Sequence, residues 1–357
     1  MEKLKVAIIG QGRSGRDIHG RHFKNEMRNH LFDVAAVVEI DEERRLRAAE
    51  EYPGCDTYSD YTELYKRDDI DLVVNATYSC DHYEITKNLL KNGKNVVVEK
   101  PFARNRYECD KLIRIAKENN VKLGVFQQSL LAPFFDGAKE AIASGKLGEI
   151  KQIDITYSGF QRRWDWQTTQ LKMGGSVYNT GPHPIGFALA FLDFDPDFEV
   201  VFSRLGRTLT SGDADDYAKI VMTAPHKPVI DIEICSDDAY PAPVFKILGT
   251  KGCYKSSDCA YEMKYLVEGE NPEHEVQLET LRTDEGLPLY CKEELKTHEE
   301  SGEFQGSAFT VGTQRFYEMM YYAITEDKPM EVTPEQAAMV ISVIEHVHAE
   351  NPLSVEI

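Results

Sequence analysis

The segment Gly10-Gln11-Gly12-Arg13-Ser14-Gly15 follows directly on the buried-strand run Lys5-Val6-Ala7-Ile8-Ile9, and no other feature of the 357 residues restricts the fold so much. A Gly-x-Gly-x-x-Gly turn between a strand and a helix suits a dinucleotide. The first glycine permits the tight turn, the second lets a pyrophosphate reach the backbone, and the third lets helix and strand pack closely. The helix N-terminus then faces the phosphates with its unpaired amides. Gly10, Gln11, Gly12, Arg13, Ser14 and Gly15 are therefore assigned to cofactor binding. Glu39 closes the second strand-like run, Val34–Val38, where a ribose 2′-hydroxyl is bound in such folds. A carboxylate there repels a 2′-phosphate, which favours NAD over NADP, with Arg44 and Arg45 pulling the other way.

Further strand runs at Asp71–Ala76, Asn95–Glu99 and Lys122–Gln127 alternate with helical segments at Glu42–Glu51, Tyr83–Lys91 and Tyr107–Asn119. Short apolar strands separated by helices imply a parallel sheet covered on both faces. After Gln127 the pattern changes. Helix Pro133–Ser144, strand Glu149–Tyr157 and helix Pro184–Phe191 come first, then strand runs at Val200–Phe202, Ala218–Met222, Val229–Cys235 and Val244–Leu248. Residues 255–305 carry 14 acidic against 5 basic side chains and read as a solvated excursion of strands and loops. Helices Thr313–Thr325 and Thr333–Ala349 end the pattern, the second capped by Thr333 with Pro334 at its first position. The expected fold is α/β. An N-terminal Rossmann dinucleotide-binding domain spans 1–126, and a C-terminal α+β domain on a mostly antiparallel open-faced sheet spans 127–357.

Charge narrows the partners. With 60 acidic against 41 basic residues the formal net charge is −19, which disfavours nucleic acid and anionic membrane surfaces alike. No apolar stretch approaches the roughly 20 residues of a membrane span, and the start, Met1–Lys5, lacks the pattern of a signal peptide. The 7 cysteines are scattered without a Cys-x-x-Cys pair, as expected of reduced thiols in a cytoplasmic protein. The histidines form no metal-spaced set with carboxylates, so no metal is expected.

Two further motifs carry chemistry. Glu99-Lys100-Pro101 stands at the C-terminal end of a strand, the sheet edge where ligands sit in open α/β folds. Gly174-Gly175-Ser176-Val177-Tyr178-Asn179-Thr180-Gly181-Pro182-His183-Pro184 sets a glycine pair before Asn179, Gly181 and His183 at alternate positions, an arrangement costly for packing alone. Just upstream, Arg162-Arg163-Trp164-Asp165-Trp166-Gln167 holds both tryptophans of the chain. An indole face flanked by hydrogen-bonding groups suits a sugar ring. Asp165, Trp166, Arg163 and Asn179 are thus candidates for the substrate wall, with packing of Trp164 in the domain interface as the plain alternative.

Together these residues resemble the Gfo/Idh/MocA family, named for glucose–fructose oxidoreductase, inositol dehydrogenase and a rhizopine-catabolism enzyme. The likeness extends over the Gly10–Gly15 turn, Ala76-Thr77 with His82 downstream, Glu99-Lys100-Pro101, the Ala143–Glu149 turn, Gly174–His183, Ile247–Gly252 and the closing helices from Phe316 to His348. It implies that Ala76, Thr77, His82, Glu99, Lys100 and Gln127 line the cofactor, that Lys100–Pro101 is open to a cis bond, and that Lys100 lies beside nicotinamide and the substrate hydroxyl. His183, with an ordinary pKa of about 6.5, is then the expected proton acceptor and Lys100 the orienting charge, a pair whose roles are open to reversal. Asn179 stands where many members have Asp, Gly186 where an acidic residue often follows, and Leu130-Leu131 where many carry Arg. A carboxylate-assisted mechanism and an anionic substrate are both less expected for that reason. The implied activity is hydride transfer between a secondary alcohol of a sugar, glycoside or polyol and NAD. Glycoside cleavage by transient oxidation with recycled NAD is an alternative, and a catalytically silent ligand sensor of the same fold is another. The resemblance also implies a homodimer or homotetramer pairing through the outer face of the second sheet.

Overall fold

The structure, a computed structural model, describes residues 3–356. Its first unit runs β1 (Leu4–Ile9), a helix over Arg13–Gly20 continued by α1 (Arg21–Phe23), β2 (Phe32–Val38), α2 (Glu42–Glu51), β3 (Asp56–Tyr58), β4 (Leu72–Asn75), α3 (His82–Lys91), β5 (Val96–Val98), α4 (Arg106–Glu118) and β6 (Leu123–Val125). The strands form one parallel sheet in the order β3-β2-β1-β4-β5-β6. Val6, Ala7, Ile8, Val73, Val97 and their neighbours are fully buried, because helices cover both faces and each strand is an unbroken apolar run. Strand order reverses beside β1, and the crevice there opens at the C-terminal strand ends. Caps fix the helix starts: Asp41 accepts from the Arg44 amide at 2.9 Å and Asn105 from Glu108 at 2.9 Å. The short edge strand β3 has no apolar run of its own, and its pairing with β2 is what makes it a strand.

The second unit contains α5 (Pro133–Ala143), β7 (Ile150–Ser158), α6 (Ser176–Asn179), α7 (Pro182–Phe191), β8 (Glu199–Gly206), β9 (Tyr217–Thr223), β10 (Val229–Cys235), β11 (Phe245–Gly249), β12 (Gly252–Ser256), β13 (Ala260–Tyr265) and β14 (His298–Glu303). Its eight strands are ordered β14-β13-β12-β11-β7-β10-β9-β8, antiparallel throughout except for β7 against β10. Alternation decides the faces. Ile230, Ile232 and Ile234 are buried under the helices, whereas Asp231 and Glu233 face outward and pair with Lys219 at 2.7 and 3.3 Å. α7 is buried on nearly every side, as its run Ile185-Gly186-Phe187-Ala188-Leu189 requires. Residues 266–297 form the exposed connection between β13 and β14, so the acidic region resolves into an edge hairpin and a solvated loop.

The last helices, α8 (Thr313–Glu326) and α9 (Pro334–Glu350), return to the first unit. Phe316 meets Phe126 edge to face at 5.0 Å, and Tyr317 stacks on His22 at 5.0 Å. Thr333 and Gln336 form a reciprocal capping box at the head of α9. Among the described residues no helix is long and apolar enough to cross a membrane.

Candidate active site

The glycine turn separates two demands that its sequence alone merges. Gly10 has φ +92°, and a Cβ on Gly15 would run into the Gly10 carbonyl oxygen, so both are required by the fold itself. Gly12 is different. A Cβ there would meet nothing within 4 Å. Gly12 is also the N-cap of the Arg13–Gly20 helix, and no side chain caps that helix. Free space over uncapped amides fits a dinucleotide pyrophosphate. Gln127, at the end of β6, adds a second fit: it is buried, and its Oε1 has no hydrogen-bond partner. Glu39 is buried too, with Oε2 accepting from the Gln11 amide at 2.7 Å and Oε1 from Asp41 at 3.1 Å. Thr77 Oγ1 donates to Asn75 at 2.7 Å, which shapes the Ala76-Thr77 turn at the end of β4.

Lys100 and His183 converge. The Lys100–Pro101 bond is cis, and the Lys100 ammonium crosses from the first unit to donate to the Asn179 carbonyl at 2.6 Å, four residues before His183. Burial pushes Lys100 below its ordinary pKa; Glu99 opposes this, while Arg13 and Arg163 reinforce it. Burial, then the Lys100 charge, pushes His183 down to about 3. The His183 ring is thus a weaker base here than a free imidazole. Asn179 takes part through its backbone. Its carbonyl holds Lys100, and the group on His183 Nδ1 is Ser129 Oγ at 2.8 Å. A lone serine in the short helical turn Gln128–Leu131 carries no sequence signal, so nothing in the chain points to Ser129. Tyr157 lies nearly parallel to the His183 ring at 6.3 Å.

The other candidates divide. Arg163 and Asn179 line one polar cavity of about 60 Å³ together with Gln161, Gln167, Ser236 and Asp215. Asp165 is spent locally, accepting from the Gln167 amide at 2.9 Å and pairing with Arg163 at 2.7 Å. Trp166 packs edge-on against Tyr78 at 5.0 Å. Trp164 is 80% exposed, which removes the alternative that it packs between domains. His82 is buried, with Nδ1 at 2.8 Å from the Pro101 carbonyl and Nε2 at 3.4 Å from that of Thr77, so it braces the two turns that flank Lys100. The glycine pair has a packing reason after all. Gly175 adopts φ +104°, and a Cβ there would strike the buried carboxylate of Asp215, which accepts from the Val177 amide at 2.8 Å. Glu233, Cys235 and Asp238 bring their ligand atoms within 4.8 Å of one another, but Glu233 pairs with Lys219 and Asp238 accepts from Ser158.

Residues 4–127 match the profile described as "Oxidoreductase family, NAD-binding Rossmann fold", and residues 135–255 match "GFO/IDH/MocA C-terminal domain". The chain belongs to the Gfo/Idh/MocA oxidoreductase family. It is 28% identical over 269 residues to the 2,7-anhydro-N-acetylneuraminate hydratase of Mediterraneibacter gnavus, covering 72% of this chain and 68% of that one. It is 28% identical over 190 residues to scyllo-inositol 2-dehydrogenase (NADP(+)) IolW of Bacillus subtilis, covering 52% and 51%. The solved NAD-binding protein from Listeria innocua superposes with a TM-score of 0.80 at 22% identity over 98% of each chain. The Gfo/Idh/MocA family consists of NAD(P)-dependent oxidoreductases, and its fold is the one described above.

Proposed function

We propose that this Gfo/Idh/MocA protein oxidises a secondary alcohol of a sugar, glycoside or polyol with NAD, or reduces the matching ketone with NADH. Bound nicotinamide supplies the hydride acceptor. The observation that carries the reading is the meeting of Lys100 and His183 across the two units. Lys100, with its ammonium disfavoured by burial, takes the hydroxyl proton, and His183, held at Nδ1 by Ser129, binds the same oxygen through Nε2. Polar groups at Arg163, Asn179 and Gln161 suit the remaining hydroxyls, and the name of the Bacillus subtilis relative supports a polyol. The deciding experiment incubates purified protein with inositols, sugars and glycosides and either nucleotide, and follows reduced nicotinamide by absorbance. Reduced nicotinamide from none of them removes the reading and leaves transient oxidation with recycled NAD or the ligand-sensing role.

A second reading has its own support. The Mediterraneibacter gnavus relative is named a hydratase, which denotes net addition of water without net oxidation. Product formation by mass spectrometry with no accumulated reduced cofactor would favour transient oxidation with recycled NAD.

The preference for NAD rests on Glu39. Its carboxylate lies under the turn, Arg45 is tied to the carbonyls of Glu39 and Ile40 at 2.8 Å each, and Arg44 stands 3.8 Å from the carboxylate. Glu39→Ser is expected to move the NAD-to-NADP ratio of kcat/KM toward NADP by about 100-fold, the scale of one removed charge repulsion. An unchanged ratio would place the ribose elsewhere.

Pairing through the outer face of the second sheet belongs to the same proposal. That face carries complementary charges in rows, Lys219 with Asp231, Lys255 with Glu262 and Lys264 with Glu299. Sedimentation is expected to give a dimer or tetramer, and the mass of a single chain would remove the idea.

A further inference from the structure

Behind Lys100 lies a buried polar line that the proposed chemistry does not use. Tyr317 of α8 has its hydroxyl 2.6 Å from His19 Nδ1, and His19 Nε2 is 3.0 Å from Glu99 Oε1. The second carboxylate oxygen, Oε2, accepts from the Lys100 amide at 3.1 Å. His19 and Tyr317 are almost completely buried, and Glu99 is 4% exposed. The direction of each bond follows from satisfaction of donors. The Tyr317 hydroxyl has no other partner among the described residues, so its proton goes to Nδ1. Nε2–H then donates to Glu99, and the carboxylate is held by two N–H donors.

We propose that Tyr317, His19 and Glu99 act as a fixed positioning line for Lys100, holding its backbone and setting how readily its side chain gives up a proton. This rests on the reading of Lys100 as the proton acceptor. Glu99 is the anion that favours the Lys100 ammonium, against Arg13, Arg163 and the burial of the site, and it acts on His183 in the same sense. Burial would raise the Glu99 carboxyl, but the hydrogen bond from His19 and the Lys100 charge hold it below the ordinary carboxylate range. The remaining titratable neighbours of the line are His22, stacked on Tyr317 and held at about 4, mainly by burial, and Tyr52, whose hydroxyl burial raises. By donating to Nδ1, the Tyr317 hydroxyl fixes the ring orientation that aims Nε2–H at Glu99. The closing helix α8, 298 residues from His19 in sequence, is thereby part of the site.

Trace acetylation of Lys100 with acetic anhydride across pH, read by peptide mass spectrometry, reports its proton affinity without any substrate. Glu99→Gln is expected to lower the midpoint by about one unit, the scale of losing one nearby opposite charge. Tyr317→Phe should lower it in the same direction by less. His19→Gln should leave it in place, because an amide offers an acceptor to Tyr317 and a donor to Glu99. Tyr317→Phe deletes one oxygen from a packed ring and keeps the test open if Glu99→Gln fails to fold. Coincident midpoints in wild type, Glu99→Gln and Tyr317→Phe would overturn the inference, as would an equal shift in His19→Gln and Tyr317→Phe. The expected shifts in a protein that oxidises no alcohol would keep the positioning line and remove only the dehydrogenase reading.

Discussion

Gly12→Val is expected to abolish tight dinucleotide binding while leaving the fold intact, and Gly15→Ala to do damage of a different kind. At Gly12 the backbone has φ −75° and ψ −162°, open to any L-residue, and a side chain would project into space that no protein atom occupies within 4 Å. Unfolded-chain entropy even favours the valine slightly. What the side chain meets is the pyrophosphate position over the first amides of the Arg13–Gly20 helix. A loss of about 100-fold in affinity for NAD, roughly 2.7 kcal/mol, is expected by calorimetry, with an unchanged melting temperature in its absence. The stabilisation that NAD confers on wild type should vanish in the same variant, because that stabilisation follows the ratio of ligand concentration to Kd. Gly15→Ala instead forces a methyl into the Gly10 carbonyl. It should cost about 1–3 kcal/mol of stability as an overpacked contact. Native NAD affinity in Gly12→Val would mean that the phosphates lie somewhere other than this turn.

That contrast shows what kind of information the sequence holds. The strands of the first sheet other than β3, the glycine turn and the cap at Thr333 are local patterns, and each is legible because a few adjacent residues determine it. β13 and β14 are harder to read. Their outward residues, Glu262, Lys264 and Glu299, are charged, and on β13 Met263 alone is fully buried, so little apolar alternation marks them. The site depends on distant pairings. Ser129 reaches His183 across 54 residues and Tyr317 reaches His19 across 298, and no spacing in the chain announces either. Burial is a tertiary property as well, which is why the ordinary pKa of an imidazole does not carry over to His183. The glycine pair at Gly174-Gly175 misled for a related reason: the buried Asp215 that demands it lies forty residues further on.

Lys100→Met should therefore be the most damaging substitution in the pocket, and the pH profile is where it parts from His183→Gln. In the oxidation direction the acceptor must be free of its proton, so the rate rises with pH through its pKa. If that acceptor is Lys100, burial places the limb below 10.5 and Glu99 keeps it from falling further. His183, pushed down to about 3 by burial and then by the neighbouring ammonium, is already unprotonated at neutral pH and contributes no limb there. Lys100→Met should lower kcat about 10³-fold, within the range of a lost general base, leave NAD affinity unchanged, and erase the limb. Arginine at the same position should fare no better, since a guanidinium does not release its proton. His183→Gln keeps a donor for the substrate oxygen and should cost about 10- to 100-fold, the scale of one misaligned hydrogen bond to a developing charge. Its limb should remain where wild type has it, because the ring it replaces is uncharged across that range. A limb that disappears in His183→Gln and persists in Lys100→Met would reverse the two roles, and would mean that the imidazole regains its basicity when the ammonium beside it turns toward substrate.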